Sequence, residues 1–438
     1  MRTPISLRVS LTPRAALAGL LALPVVVLWP RWWVVLLLAA LWALVLLADA
    51  FAAPEPRRIQ VQRRLPAQVR LGGTVTGRLL VTNPTARAAR LEIRDAWNPT
   101  AGLAEQRSTL TVPSRERRGI EQAFTPTRRG EHSSRTLLVA SVGPLGLARR
   151  TAAVDTPGRL LALHPFGARR HLPSRVQRLR EIEGLSAIHQ RGQGTEFDSL
   201  RDFVDGDDVR SIDWRATARR RSVVVRTWLP ERDRHVLIVV DTSRTAAGRL
   251  GDSTRLDAAF DAALLLTALA GQAGDRVDLV CVDRIPHLSV VGSSRTTVLH
   301  DMVSATAGVH PALVETDWER AASTITDRTR RGSLVVLITP VDPAVVHTGL
   351  LPVAARLAKN HPLVVASVSD PALGELAAGR EDVEALYIAA AAEQARQESA
   401  GVAAALERAG AHVVDAPPER APQALADAYL ALKAAGRL

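Results

Sequence analysis

Three patterns of apolar and polar positions succeed one another along this chain. Residues 15–29 and 32–51 are two apolar runs placed back to back. Between residues 59 and 141, apolar residues fall at every second position in short runs: Ile59 and Val61, Leu79 and Val81, Leu91 and Ile93, Leu110 and Val112, Leu137 and Val139. From residue 236 onward, short continuous apolar runs alternate with stretches spaced three and four apart, as in Leu256, Phe260 and Leu264, or Val353, Ala354 and Leu357.

The first pattern predicts a membrane anchor over residues 1–54. A helix of roughly 20 residues crosses the ~30 Å hydrocarbon layer, which suits the second run. The first run rises only about 22 Å as a helix and contains Pro24. Trp29, Trp32 and Trp33 flank a Pro30-Arg31 turn, where an interfacial aromatic belt belongs. Arg2, Arg8 and Arg14 precede the runs, Arg57, Arg58, Arg63 and Arg64 follow them, and Arg31 stands alone between. The positive-inside rule then gives a multi-pass hairpin with both termini and the soluble domains in the cytoplasm. The competing reading is a secretory signal, since residues 50–53 resemble a cleavage site. Two runs over some 40 residues exceed one signal core, which is about 7–15 residues.

The second pattern predicts a β-sandwich-like domain over residues 55–165. Gly72-Gly73, Asn83-Pro84-Thr85, Pro113-Ser114 and residues 143–146 break the alternation at turn positions. No constellation of titratable groups marks a site in it. Residues 166–193 read as a linker with one short helix, ending in the flexible run Gly192-Gln193-Gly194.

The third pattern predicts an α/β domain over residues 229–438, with strands at 236–240, 276–282, 287–291, 334–338, 363–367 and 411–414. Strands alternating with helices imply a parallel, doubly wound sheet. The short link at 283–286 implies one antiparallel edge hairpin.

Charge changes this picture in one respect. The net charge of +12 is +16 within residues 55–180 and −6 within 229–438. A basic region beside an apolar terminus suits anionic membrane lipid. Nucleic acid is not expected, because the basic region lacks interleaved aromatics and any known reader motif. Cys281 is the single cysteine, so no intrachain disulfide forms. Lys359 and Lys433 are the only lysines and neither follows glycine, which excludes a GxxxxGK phosphate loop. HExxH, GxSxG and CxxC are also absent.

Residues 194–228 carry dense charge of both signs threaded with Phe197, Leu200, Phe203, Ile212 and Trp214. Leu200, Phe203 and Val204 have the spacing of a helical face. Asp207 and Asp208 can turn or cap the chain, and residues 222–226 alternate as a strand. One reading has Arg201, Arg210, Arg215 and Arg219 pair with the aspartates to clamp this segment onto the next domain. The other makes it a docking surface. A carboxylate metal site at Asp205, Asp207 and Asp208 lacks EF-hand spacing.

The run LRDFVDGDDVRSIDWRATARR at 200–220 closely resembles the signature of the bacterial "domain of unknown function 58" family. Arg201, Asp207, Asp208, Arg210, Asp213, Trp214 and Arg219 stand where that family places its pattern. The resemblance implies paired N-terminal spans in a bacterial cell membrane, a β-rich segment, and a von Willebrand factor A-like domain. It also implies a MoxR-like AAA+ ATPase as partner. Asp241-Thr242-Ser243-Arg244-Thr245, at the carboxyl end of the first strand, resembles a metal-ion-dependent adhesion motif. Such a turn supplies hard oxygens suited to Mg²⁺. The resemblance assigns Asp241, Ser243 and Thr245 to the metal, with Thr316 from a later loop and Asp342 in place of the usual aspartate, whose position Pro340 takes. Without the resemblance, the same turn reads as a helix-capping loop.

These readings converge on a membrane-anchored, non-enzymatic adaptor. The alternatives are a metal-assisted hydrolase at the Asp241 loop, and a structural membrane module without metal.

Overall fold

The computed structural model describes residues 8–189, 196–204, 207–229, 234–292 and 297–438. Asp205, Gly206 and the Gly192-Gln193-Gly194 run lie outside the described residues, as does Arg2. The chain divides into two compact units, Met1–Pro165 and Phe166–Leu438.

The first unit begins with β1 (Arg8–Leu11) and the short helices α1 (Pro13–Gly19) and α2 (Leu23–Leu28). The 21-residue helix α3 (Trp32–Ala52) follows. Among the described residues, only the stretch beginning with α3 is a helix long and apolar enough to cross a membrane. The first apolar run, Pro13–Leu28, is helical with a 3₁₀ turn at residues 20–22 and is too short to meet that length.

Eight further strands build two packed sheets. They are β2 (Gln60–Arg64), β3 (Gln68–Arg70), β4 (Val75–Thr82), β5 (Ala89–Asp95), β6 (Arg107–Val112), β7 (Arg117–Phe124), β8 (Gly130–Val142) and β9 (Ala148–Leu163). One sheet runs β1-β9-β8-β5-β6 with β3 beside β9, and the other runs β2-β4-β7. The alternating residues decide the inner faces. Leu79 and Val81 of one sheet and Leu91, Ile93, Leu137 and Val139 of the other form one buried cluster with Ile59. Each such side chain contributes about 1.5–3 kcal/mol by leaving water. Arg63 and Asp95 are buried together at 2.6 Å, each side chain 1% exposed. Arg63 also donates to the carbonyls of Ser134 and Thr156. Burial lowers the Arg63 pKa, and Asp95 opposes that shift.

The expected anchor is not set apart from this domain. β1 pairs with β9, Leu11 standing opposite Ala148. Asp49, in the last turn of α3, accepts from the backbone N–H groups of Leu145 (2.7 Å), Leu147 (2.8 Å) and Ala148 (2.8 Å) in the β8–β9 turn. A carboxylate 1% exposed is thereby satisfied by three donors.

The second unit opens with α4 (Leu172–His189), β10 (Glu196–Asp202), α5 (Trp214–Arg220) and β11 (Val224–Leu229). Two expectations fail here. Residues 166–189 contain the expected helix, α4, but are not a linker: Phe166, Ala168 and Leu179 are buried in the unit's main core, with Leu172, Val176 and Ile182 packed against it. Residues 200–202 are a strand rather than part of a helical face. β10 pairs antiparallel with β11, Leu200 opposite Arg226, and that ladder outweighs the i, i+3, i+4 spacing.

The remaining elements are β12 (His235–Asp241), the two-residue strands β13 (Arg249–Leu250) and β14 (Ser253–Thr254), α6 (Arg255–Gln272), β15 (Arg276–Val282), β16 (Pro286–Val290), α7 (Val298–Ala307), α8 (Trp318–Arg328), β17 (Leu334–Ile338), α9 (Pro343–Val345), α10 (Leu351–Leu357), β18 (Leu363–Val368), α11 (Pro371–Ala378), α12 (Val383–Arg408), β19 (His412–Ala416) and α13 (Ala421–Ala434). The sheet order is β16-β15-β12-β17-β18-β19. Its first strand in that order, β16, is antiparallel to β15, and the other five are parallel. Antiparallel pairing prevails in the other sheets of the chain.

β12 is central and fully buried, and its two faces serve two cores. Val236, Ile238 and Val240 pack with α6 and α13. Leu237 and Val239 pack with α8, α10 and α12. A continuous apolar run in the sequence is therefore what a strand covered by helices on both sides requires.

Candidate functional site

Parallel strands end together, so the residues just past β12, β15 and β17 converge. Asp241 closes β12 and is 2% exposed. Its Oδ1 accepts from the Ser243 backbone N–H at 2.9 Å and from Thr316 Oγ1 at 2.6 Å. Its Oδ2 accepts from Thr339 Oγ1 at 2.7 Å. Thr316 lies in the loop before α8, and Thr339 directly follows β17. The carboxylate thus has donors from three separate loops, which explains how it tolerates burial. Ser243 Oγ and Thr245 Oγ1 are 3.0 Å apart and bonded to each other. Thr242 turns inward, and its hydroxyl donates to the Val282 carbonyl at 3.0 Å.

Two more contacts fix the loop's outer edge. Arg244 N–H donates to the Val314 carbonyl at 2.9 Å, and its guanidinium pairs with Glu315 at 2.8 Å on the surface. The Glu315 hydrogen bond raises the Arg244 pKa. Leu313 beside it is 79% exposed.

The sequence-selected residues separate into two groups. Asp241, Ser243, Thr245 and Thr316 are linked by hydrogen bonds around one point. Asp342 caps α9, accepting from the Ala344 N–H at 2.9 Å, and the hydroxyl bonded to Asp241 on that side belongs to Thr339. Sequence reading missed Thr339 because it looked there for a carboxylate. It also missed His287, which the β15–β16 hairpin brings to 3.5 Å from Thr242 Oγ1 and 3.4 Å from Asp283. Among the described residues, no group of three or more His, Cys, Asp or Glu is placed to hold a metal ion together.

The charged signature segment is a second, separate arrangement. Arg201 grips Asp207 with two parallel hydrogen bonds of 2.7 and 2.6 Å, and the Val204 N–H donates to the same carboxylate. The Arg201 guanidinium, then the Val204 N–H, hold the Asp207 pKa below its ordinary value. Asp208 accepts from the Arg210 N–H and caps a 3₁₀ turn. Asp213 caps α5 through the Arg215 and Ala216 N–H groups and takes Arg226 Nε at 2.8 Å. The Ala216 N–H, then Arg226, lower its pKa. Arg219 lies exposed in the last turn of α5. These hydrogen bonds run within the segment, so the ion pairs formed by Arg201 and Arg226 fold it onto itself. Trp214, 67% exposed, and Val209, 63% exposed, remain on its surface.

An apolar N-terminal helix, a β-rich unit and a second unit that carries an internally paired charged segment define a multidomain chain. Residues 199–410 match the family described as "Protein of unknown function DUF58", and this stretch of the chain is a domain of that family. The uncharacterized protein Rv1480 of Mycobacterium tuberculosis strain H37Rv is 29% identical over 183 residues, 41% of this chain and 56% of that protein. The uncharacterized protein YeaD of Bacillus subtilis strain 168 is 27% identical over 114 residues, 26% of this chain and 28% of that protein. The match therefore spans about half the length of the first relative and under a third of the second. Among solved structures, the conserved hypothetical protein BatB from Bacteroides thetaiotaomicron aligns with 46% of this chain and 99% of its own. The identity there is 15% and the TM-score 0.32.

Proposed function

We propose that this chain is a membrane-anchored, cytoplasm-facing adaptor without enzymatic activity of its own. Its second unit, read as von Willebrand factor A-like, presents the Asp241 loop to a protein partner. The observation that carries this reading is the convergence of Thr316, Thr339 and the Ser243 N–H on the buried Asp241 carboxylate, beside the exposed Leu313 and the Arg244–Glu315 pair. A preorganised polar point beside an exposed apolar residue suits recognition by a partner.

Mg²⁺ fits this site in donor type. Asp241, Ser243, Thr245, Thr316 and Thr339 offer hard oxygens, and the ion would exchange their mutual hydrogen bonds for coordination. With Asp342 engaged at α9, the loop supplies one carboxylate, so a carboxylate from the partner would complete the shell. A MoxR-like AAA+ ATPase is the partner that the family resemblance suggests.

The anchor is read as a hairpin. Both ends of the apolar stretch meet the same β8–β9 turn: the Thr12 N–H donates to the Leu147 carbonyl, and Asp49 accepts from the Leu147 N–H. Entry and exit on one side support two crossings, with the arginines setting the cytoplasmic side.

The test is thermal unfolding of the full chain in detergent with Mg²⁺ or Mn²⁺, beside Asp241→Ala. A metal-dependent rise in Tm that the variant lacks is expected. A wild-type Tm unmoved by either ion, with or without added carboxylate, would leave the structural-module reading in its place.

A further inference from the structure

The outward face of the β1-β9-β8-β5-β6 sheet carries a second site. Residues paired directly across antiparallel strands share a face. The registers place Arg94 opposite Arg107 and Leu138, and Glu92 opposite Thr109 and Ala140. They also place Ala140 opposite Thr151, and Thr151 opposite Arg8. Arg90 and Arg149 both stand opposite Val142. Five arginines and one glutamate therefore share this face, which lies opposite the buried Leu91, Ile93, Leu137 and Val139. Glu92 is engaged by Arg149 at 3.0 Å, and Arg149 also donates to Ser10. Of the other four arginines, Arg94 and Arg107, both exposed, form a like-charge pair directly across β5 and β6. They border a groove of about 390 Å³ that Thr109, Leu138, Arg149, Thr151 and the Arg149-paired Glu92 also line.

Like charges at opposed sheet positions destabilise the pair unless something neutralises them. Two guanidinium forks on backbones about 5 Å apart can grip one tetrahedral oxyanion, each through parallel N–H donors. Thr109 and Thr151 add hydroxyls to the same groove. From Arg94, Arg107 and this groove we infer an oxyanion site that takes a phosphate or phosphoester group.

Its position discriminates between sources of that group. The Arg90–Arg149 row adjoins the turn held by Asp49 at the end of α3, and the Arg94–Arg107 row lies four residues further along the strand, about 14 Å at ~3.4 Å per residue. The headgroup layer is only about 5–8 Å deep on each side of the hydrocarbon. A soluble phosphoester reaches the groove more readily than a lipid headgroup does. The inference is independent of the Asp241 loop.

The test uses the full chain in phosphatidylcholine nanodiscs, titrated with inorganic phosphate against chloride at constant ionic strength. Wild type should show a saturable rise in Tm. Arg94→Gln and Arg107→Gln should each weaken the apparent affinity by about tenfold or more, as loss of one bidentate contact implies. Without phosphate, both variants should be at least as stable as wild type, because the repulsion is gone. Arg117→Gln, on β7 of the other sheet, should respond as wild type does. A repeat in phosphatidylglycerol nanodiscs separates the sources: the phosphate response persists there for a soluble ligand and is pre-empted if the lipid headgroup fills the groove. No response in phosphatidylcholine, or a response that both variants keep in full, would overturn the site.

Discussion

Thr339 Oγ1 donates to Asp241 Oδ2 at 2.7 Å, joining the ends of the two neighbouring central strands β12 and β17. Thr339 and Asp241 are each 2% exposed. Removing the hydroxyl leaves a buried carboxylate oxygen one donor short, at a cost of about 1–3 kcal/mol. Thr339→Val should lower stability by that amount in denaturant unfolding, whereas Thr339→Ser should retain most of it. A loss in Thr339→Ser with none in Thr339→Val would show that methyl packing, not the hydrogen bond, matters there.

Asp278 gives the second unit a defined acid limit. Burial acts to raise its pKa, but hydrogen bonds from His235, Arg276 and the Gly292 N–H together outweigh it and hold the value down to about 2. A folded-state value below the unfolded ~3.8 stabilises the protein above pH 4, and the contribution is lost as pH falls from there toward 2. The shift corresponds to about 2 kcal/mol. Asp278→Asn should flatten the stability profile between pH 4 and 2, measured by urea unfolding at each pH. A variant with the wild-type slope would remove Asp278 as the source.

Lys433 is one of two lysines in the chain and is buried, 3.4 Å from Asp275 and 3.3 Å from Glu183. Tyr429 donates to Asp275 as well. Burial raises the Asp275 pKa, against the pull of Lys433 and Tyr429. Lys433→Met removes the buried cation paired with Asp275, leaving it the Tyr429 hydroxyl, and should cost up to about 3–5 kcal/mol. The double variant Lys433→Met, Asp275→Asn should recover a substantial part of that loss. Additive losses in the double-mutant cycle would mean that the two groups do not interact.

Asp49 holds the β8–β9 turn through three backbone donors. Asp49→Ala strands those N–H groups. Each hydrogen bond to a charged acceptor contributes about 1.5–3 kcal/mol, so a loss of at least about 3 kcal/mol is expected. Limited proteolysis of the full chain in detergent should then cut within residues 143–148 at least tenfold faster. Unchanged cleavage would show that strand pairing alone fixes the turn.

Much of the fold was legible because burial imposes periodicity. All six strand positions expected after residue 235 carry observed strands, including the antiparallel edge strand after the short link at 283–286. The alternation at residues 79–81, 91–93 and 137–139 marks the inner faces of the two packed sheets. The reading failed where pairing overrode local spacing. Leu200, Phe203 and Val204 have helical spacing, yet residues 196–202 pair with β11. It failed again around α4, where a helix was expected but the punctuation by Gly167 and Pro173 suggested a linker rather than a core element. The apolar stripe Leu172, Val176, Leu179 and Ile182 was the available signal for its burial.

By itself, the sequence determined the apolar helix, the alternating strands and the strand that ends in Asp241, because each follows from a local repeat of residue types. It also placed Thr316 beside that aspartate through a family resemblance. Only the tertiary structure decided that Thr339, and not Asp342, completes the aspartate's donors, that Asp49 is clasped by a turn almost a hundred residues away, and that Arg94 faces Arg107. Those relationships depend on strand register and on which strand ends meet, and no local repeat encodes either.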